Sequence, residues 1–308
     1  MQDTPESIHV PVLLHEVLED LIPASIAKTG RSLIYIDGTL GGCGHALAVA
    51  NKLGGKLTLV GLDNDPKVIE RAKKALEGKA EKLILENTNF RDLDKVLAKH
   101  GIDKADMILL DLGLSSDELE HSGKGFSFLK DEPLLMTMND PAKHAFTAKD
   151  IVNSWKEEDI SNVIFAYGEE KYARRIAKAI CVYREKKQIE TTDELTEIVR
   201  SGVPGPYRFK KLHPATKTFQ ALRIAVNDEL KAVEEGLSKG YEHLNIGGRM
   251  GVIAFHSLED RIVKNFMRSK EKSGAKLISR KAVKPGEQEI AENPRSRSAK
   301  LRVIEKTS

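Results

Sequence analysis

Cysteine is scarce: Cys43 and Cys181 are the only two in 308 residues. Two thiols cannot build a disulfide framework or a four-cysteine zinc site, so no metal is expected and a reducing compartment is the expected home. Long apolar runs are missing as well. None approaches the roughly 18 residues of a membrane span. The opening MQDTPESIHVPVLL is acidic and has no apolar stretch before a small-residue cleavage site. A charge excess of one sign is also lacking, with 49 basic against 46 acidic side chains and a net charge of +3. Any basic footprint for nucleic acid must therefore be local. With 40% hydrophobic and 31% charged residues and no internal repeat, the chain reads as a cytoplasmic, enzyme-sized globular protein without membrane contact.

What is present is a strand–helix rhythm. SLIYID, KLTLVGLD, KLILEN and ADMILLDLG are short apolar runs, separated by helical stretches such as PKVIERAKKALEG and FRDLDKVLAKHG. Near-continuous apolar runs suit parallel strands covered on both faces, and their alternation with helices predicts a doubly wound α/β sheet. An earlier segment, VPVLLHEVLEDL, has helical spacing. The rhythm breaks after Gly113 into helical patterning, in which Thr192 with Asp193 and Glu194 offers a helix start. Strand patterning returns at GGRMGVIAFH and again at the terminal KLRVIEK. The expected organisation is an α/β domain over residues 1–114 and 213–308, split by a helical insertion over 115–212.

The first strand runs into YIDGTLGGCGHA, Tyr35–Ala46, with glycines at 38, 41, 42 and 44. No three of them make the G-x-G-x-x-G spacing of a dinucleotide loop, since position 47 is Leu47, and no Gly-Lys-Ser/Thr follows for a P-loop. A bare first turn also lets the backbone approach a cofactor without phosphates, such as S-adenosylmethionine. Asp63 ends the next strand and can accept hydrogen bonds from both ribose hydroxyls, and Asp111 ends the fourth. Each acid has a plainer use as a helix cap, and a glycine cluster can be only a tight turn. In order and together, they favour an adenosyl cofactor at the carboxyl edge of the sheet.

The segments HVPVLLHEVL, YIDGTLGGCGHA, DNDPKVIERA, LLDLGLSSDELE, GFSFLKDEPLLMTM, YGEEKYARRIAKAI, HPATKTFQALRIAVNDEL, FHSLEDRIVKNFM and ENPRSRSAKLRV cover nearly the whole chain in order. With them the sequence resembles the bacterial 16S ribosomal RNA (cytosine-N4)-methyltransferases. The resemblance implies a class I S-adenosylmethionine-dependent methyltransferase fold, Rossmann-like, with a helical insertion that recognises substrate. It implies N4-methylation of a decoding-centre cytosine of 16S ribosomal RNA, met within the small ribosomal subunit. It also implies cofactor contacts at Cys43, Gly44, His45, Asp63, Phe90, Asp111 and Glu118. The chain departs from the family pattern at four places. Cys43 stands where glycine is usual, Glu118 where glutamine is commoner, and Leu135 and Thr137 where aspartate and arginine are general.

The Asp/Asn-Pro-Pro-aromatic motif of many amino-methyltransferases is absent, and DLGLSS follows the fourth strand instead. Asp111 is then the first candidate to hold or accept the amine proton, and His256 the second. His256 has a plainer reading, as the residue before a helix start at Ser257 and Asp260. His45 reads as a loop-ordering or cofactor contact, and Phe90 as either core or a partner for adenine. Basic residues cluster in YRFKKLH, Tyr207–His213, and NPRSRSAKLR, Asn293–Arg302, and are candidates for RNA phosphates. Rival readings are a nucleotide-dependent oxidoreductase, an RNA-binding factor without activity, and a methyltransferase with another acceptor. The oligomeric state is open, with a homodimer compatible with the sequence.

Overall fold

The computed structural model describes residues 11–23, 30–114, 119 and 122–308. They form two compact units, one of residues 1–113 with 230–308 and the other of residues 114–229. The first is built on a seven-stranded sheet: β1 (Leu33–Asp37), β2 (Leu57–Asp63), β3 (Lys82–Asn87), β4 (Ala105–Asp111), β5 (Leu244–Ala254), β6 (Lys276–Leu277) and β7 (Lys300–Glu305). Spatial order is β3-β2-β1-β4-β5-β7-β6. Strands β1 to β5 run parallel, and β7 runs antiparallel between β5 and β6. This is the expected class I methyltransferase arrangement. Only the two-residue β6 has no counterpart in the sequence reading.

The strands form because alternate side chains find apolar cover on opposite faces. Tyr35, Leu59 and Leu109 enter one cluster, with Val17 and Leu21 of α1 (Leu14–Leu21), Val49 of α2 (Gly44–Lys52) and Val68 and Ala72 of α3 (Pro66–Ala75). Ile36, Val60, Ile108 and Leu110 enter the other, with Val96 and Leu97 of α4 (Leu93–Lys99). Helix α1 starts later than its pattern suggests. Leu13 adopts φ 54°, and its N–H donates to Glu289 Oε1 at 2.8 Å instead of extending the helix.

The second unit is helical, with α5 (Ala148–Ser154), α6 (Glu157–Gly168), α7 (Ala173–Arg184), α8 (Thr192–Gly202) and α9 (Thr216–Asn227) around their own core. It extends past the expected limit at 212 to Glu229, because Phe219, Leu222 and Val226 of α9 are buried with Ile160 and Ile164 of α6. Helix α9 then stops at Asp228, which adopts φ 50°. A separate helix, α10 (Glu229–Glu242), sends Val233, Leu237 and Tyr241 into the sheet core. Helix α11 (Ser257–Glu271) follows β5. Thr192 starts α8, where its pattern with Asp193 and Glu194 puts a helix start. Its hydroxyl donates to the Lys130 carbonyl at 2.6 Å and accepts from the Glu132 N–H at 3.0 Å, stapling an extended segment to the helix.

Candidate active site

Strand order reverses between β1 and β4, and in open α/β sheets that reversal opens a crevice at the carboxyl ends. Three acids end strands there: Asp37 on β1, Asp63 on β2 and Asp111 on β4. The glycine loop is tied to all three. The Thr39 N–H donates to Asp37 Oδ1 at 3.2 Å, and the Gly41 N–H donates to Asp63 Oδ2 at 3.0 Å. The Asp111 N–H donates to the Thr39 hydroxyl at 2.7 Å. Tyr35, fully buried, donates from its hydroxyl to Asp37 Oδ2 at 3.1 Å.

The loop needs its glycines for two different reasons. Gly41 sits at φ 46°, a left-handed conformation that a side chain disfavours. A Cβ on Gly44 would lie 2.2 Å from Pro11 Cγ, so the start of α2 can approach the N-terminal segment only without one. Cys43 also lies in the left-handed region, at φ 62°, where glycine would be unstrained. Its side chain is nonetheless buried in the sheet core, and burial pushes the thiol up to about 12.

Electrostatically the site is dominated by its acids, with Arg71 the nearby cation that offsets Asp63. Burial raises the Asp37 carboxyl to about 6, although it accepts from Thr39 and Tyr35. Burial also raises Asp63, against the lowering effect of the Asp65 and Gly41 N–H groups. Asp111 is raised well above the usual carboxylate range by burial and then by the nearby charges of Asp37 and Glu259. Asp111 Oδ1 is buried without a hydrogen-bond partner, while Oδ2 lies 3.6 Å from His45 Nδ1. The other ring nitrogen of His45 is 2.9 Å from the Val12 carbonyl, which orders the ring behind the loop.

This donor set fits S-adenosylmethionine. Asp63 keeps lone pairs beyond its two backbone bonds for ribose hydroxyls. The orphaned Asp111 oxygen suits an ammonium or sulfonium, and a net-positive ligand relieves three crowded acids. Phe90, after β3, is half-buried and lies along Gly236 of α10, where an added Cβ would come within 2.5 Å of the ring. Cys43, Gly44, His45, Asp63, Phe90 and Asp111 thus share one loop-and-strand-tip region of the α/β unit. Glu118 lies outside the described residues.

His256 occupies a different role from the one its neighbours suggested. The capping box is formed by His256 itself with Glu259, and not by Ser257 with Asp260. Its Nδ1 accepts from the Glu259 N–H at 3.3 Å, and Glu259 Oε2 accepts from the N–H groups of Phe255 and His256. Asp260 instead accepts from Arg302 and Lys300 of β7, which removes two cations of the second basic run from the free surface. Among the described residues of the helical unit, Thr137 is fully buried with its hydroxyl unpartnered. Asn227 clamps the backbone beside it, donating to the Met136 carbonyl and accepting from the Met138 N–H.

Two contributors, Asp37 and Thr39, went unassigned in the sequence reading. An acid placed directly before a glycine loop was the available signal for Asp37. No spacing rule would have found Thr39, whose role depends on β4 lying beside β1.

The MraW methylase family model matches residues 6–307. A ribosomal RNA small subunit methyltransferase H from Syntrophotalea carbinolica is 44% identical over 312 residues, covering 96% of this chain and 97% of that protein. The protein of the same name from Heliobacterium modesticaldum is 42% identical over 315 residues, covering 97% and 98%. Among solved structures, an rRNA methylase from Streptococcus thermophilus aligns at TM-score 0.43 and 10% identity, over 96% of each chain. The fold assignment rests on strand order, and kinship rests on the sequence matches. The chain belongs to the MraW methylase family.

Proposed function

We infer that the protein is an S-adenosylmethionine-dependent methyltransferase acting on the exocyclic N4 amine of a decoding-centre cytosine in 16S ribosomal RNA. The observation that carries this reading is the convergence of Asp37, Asp63 and Asp111 on one glycine loop at the strand-order reversal, in a chain matched end to end by rRNA methyltransferases. When bound, S-adenosylmethionine supplies a methyl group already activated on a sulfonium. The protein's main task is therefore placement. Asp63 would hold the ribose, the Cys43-Gly44-His45 turn would line the cofactor, and Phe90 would pack on adenine.

Cytosine N4 is a weak nucleophile because its lone pair is delocalised into the ring, and one N–H proton must leave as the new N–C bond forms. An acceptor that orients the amine and takes that proton serves both needs. Asp111 has an unpartnered oxygen beside the glycine loop, whereas the Nε2 of His256, also without a hydrogen bond, lies 3.2 Å from the Glu259 carboxylate and its Nδ1 is engaged in the helix cap. We therefore place Asp111 ahead of His256 in the chemical role. The base must leave its stack to be reached, as base-modifying enzymes require.

The helical unit serves as the substrate-recognition part, the setting is the small ribosomal subunit in the cytoplasm, and sedimentation would distinguish a monomer from the homodimer that the sequence allows. No helix among the described residues is long and apolar enough to cross a membrane. The test is labelled S-adenosylmethionine offered with unmodified small subunits, free 16S rRNA and DNA in parallel, followed by mapping. Label on one cytosine N4 of 16S rRNA is expected. Label confined to DNA, or none on any substrate, would overturn the reading.

A further inference from the structure

In the helical unit a one-turn helix, Gly205–Arg208, ends at Phe209, a residue 88% exposed; Leu212, three residues on, is 51% exposed. The segment is held on both sides. Before it, the Tyr207 hydroxyl donates to Oε2 of the fully buried Glu170 at 2.6 Å, and its ring meets Tyr172 edge-on at 5.0 Å. After it, His213 stacks on Phe128 at 4.6 Å, and Phe128 packs on Phe219 of the helical core. The two anchors turn their aromatic rings inward. Phe209, between them, is left facing water on a fixed backbone.

Cations surround that ring. Arg208, Lys210 and Lys211 are its chain neighbours and all are exposed. The Lys210 ammonium lies 5.2 Å from the Tyr207 ring centroid, and Lys171 lies 4.8 Å from that of Tyr172. Among the described residues none of these four cations takes part in an ion pair. A solvated basic face needs no aromatic ring, and an apolar docking patch is weakened by unpaired charge. Arg208 is steadied by the Val203 and Ser201 carbonyls at 3.4 Å, its charge left without an acid. A flat ring flanked by cations outside any ion pair suits a ligand that carries a π-face and a phosphate at each repeat, which is single-stranded nucleic acid.

We propose that Phe209, with Arg208, Lys210 and Lys211, is a stacking platform for an unpaired base and its adjoining phosphates in the ribosomal RNA substrate. This rests on the rRNA methyltransferase reading and adds to it a second hold on the strand. Phe209 is a positioning residue, since its contact is with RNA and not with the reacting atoms.

The test compares full-length wild type with F209A, F209W, F209L and the double variant K210E/K211E. An unmodified 16S rRNA transcript is bound across a salt series, with S-adenosylmethionine affinity and Tm measured alongside. Stacking lost at one base weakens binding by about fivefold to a hundredfold. F209A should show that loss with cofactor affinity and Tm unchanged, and F209W should recover it while F209L does not. K210E/K211E should flatten the slope of log K against log salt by roughly 1.4, two single-strand phosphate contacts. Wild-type RNA affinity in F209A would overturn the platform, as would full recovery by F209L, which would mark a non-stacking apolar contact. So would a loss in F209A seen only toward anionic lipid vesicles. A wild type that methylates no RNA would instead sink the enzymatic reading, so the two failures are distinguishable.

Discussion

Asp63 shows how much of a site one side chain can carry. Its two oxygens already order the Gly41 and Asp65 N–H groups at 3.0 and 2.9 Å, so the ribose grip proposed for it would come from an acceptor held rigid before the ligand arrives. Hydrogen bonds to a charged acceptor contribute about 1.5–3 kcal/mol each. Asp63→Ala should therefore weaken S-adenosylmethionine binding by roughly tenfold or more, read by calorimetry; unchanged affinity would remove it from the site. Asp37 makes a different prediction. Its folded-state pKa, about 6, lies above the ordinary 3.8, so the folded protein holds a proton that the unfolded chain has released. Stability from this group is fully present below the unfolded value, falls as pH rises toward 6, and is then flat. Asp37→Asn cannot lose that proton. Relative to wild type it should gain stability between about pH 4 and pH 6, by up to roughly 3 kcal/mol, and hold the gain above. Urea unfolding across that range reads the difference, and a gain independent of pH would refute the assignment. At Cys43 burial governs reactivity, because a thiol pushed up to about 12 supplies almost no thiolate. A thiol reagent at pH 8 should modify Cys181 in the native protein and reach Cys43 only on unfolding.

Elements depend on close approach as well as on pattern. Gly168 ends α6 where a Cβ would lie 2.5 Å from the Lys217 carbonyl oxygen of α9. Backbone cannot swing aside as a side chain can. Gly168→Ala should thus destabilise the helical unit by roughly 1–3 kcal/mol, measured by chemical unfolding. Here the limits of sequence reading are physical. Strands β1 to β5 were legible because buried parallel strands need unbroken apolar runs, and the antiparallel β7 showed a short run of its own in Leu301, Val303 and Ile304. The adjacency of α6 and α9 was not, since a contact between segments about fifty residues apart leaves no local period. The stretch from Thr216 to Leu244 keeps helical patterning throughout. Its break at Asp228 uses a left-handed residue that carries no strong sequence signal, and the helical unit was drawn too short. The site divided likewise. Asp63 and Asp111 stood out as acids at strand ends, while the His256–Glu259 cap was hidden by an equally plausible Ser257–Asp260 pattern.

Across the whole molecule, acids at the two ends of the sheet behave oppositely. Asp106, at the amino end of β4, is fully buried. Burial alone would raise it, but Arg31, the Ile34 N–H at 2.9 Å and Asn245 at 2.8 Å hold it below the usual carboxylate range. Its stabilisation is present above the unfolded pKa and lost as pH falls through the folded one. Asp106→Ala should cost about 3 kcal/mol at neutral pH, with the deficit shrinking below about pH 4. Acid–base behaviour thus separates a clamped, structural edge from a carboxyl edge whose crowded acids await a cation.

The chain path carries a consequence for biosynthesis. Strand β4 pairs with β5, yet some 130 residues, the entire helical unit among them, are translated between the two. At roughly 5–20 residues per second a nascent chain holds β4 as a naked edge for many seconds. The helical unit, contiguous in the chain, is free to fold during that delay. Strand β7, which pairs beside β5, follows only some 45 residues later still.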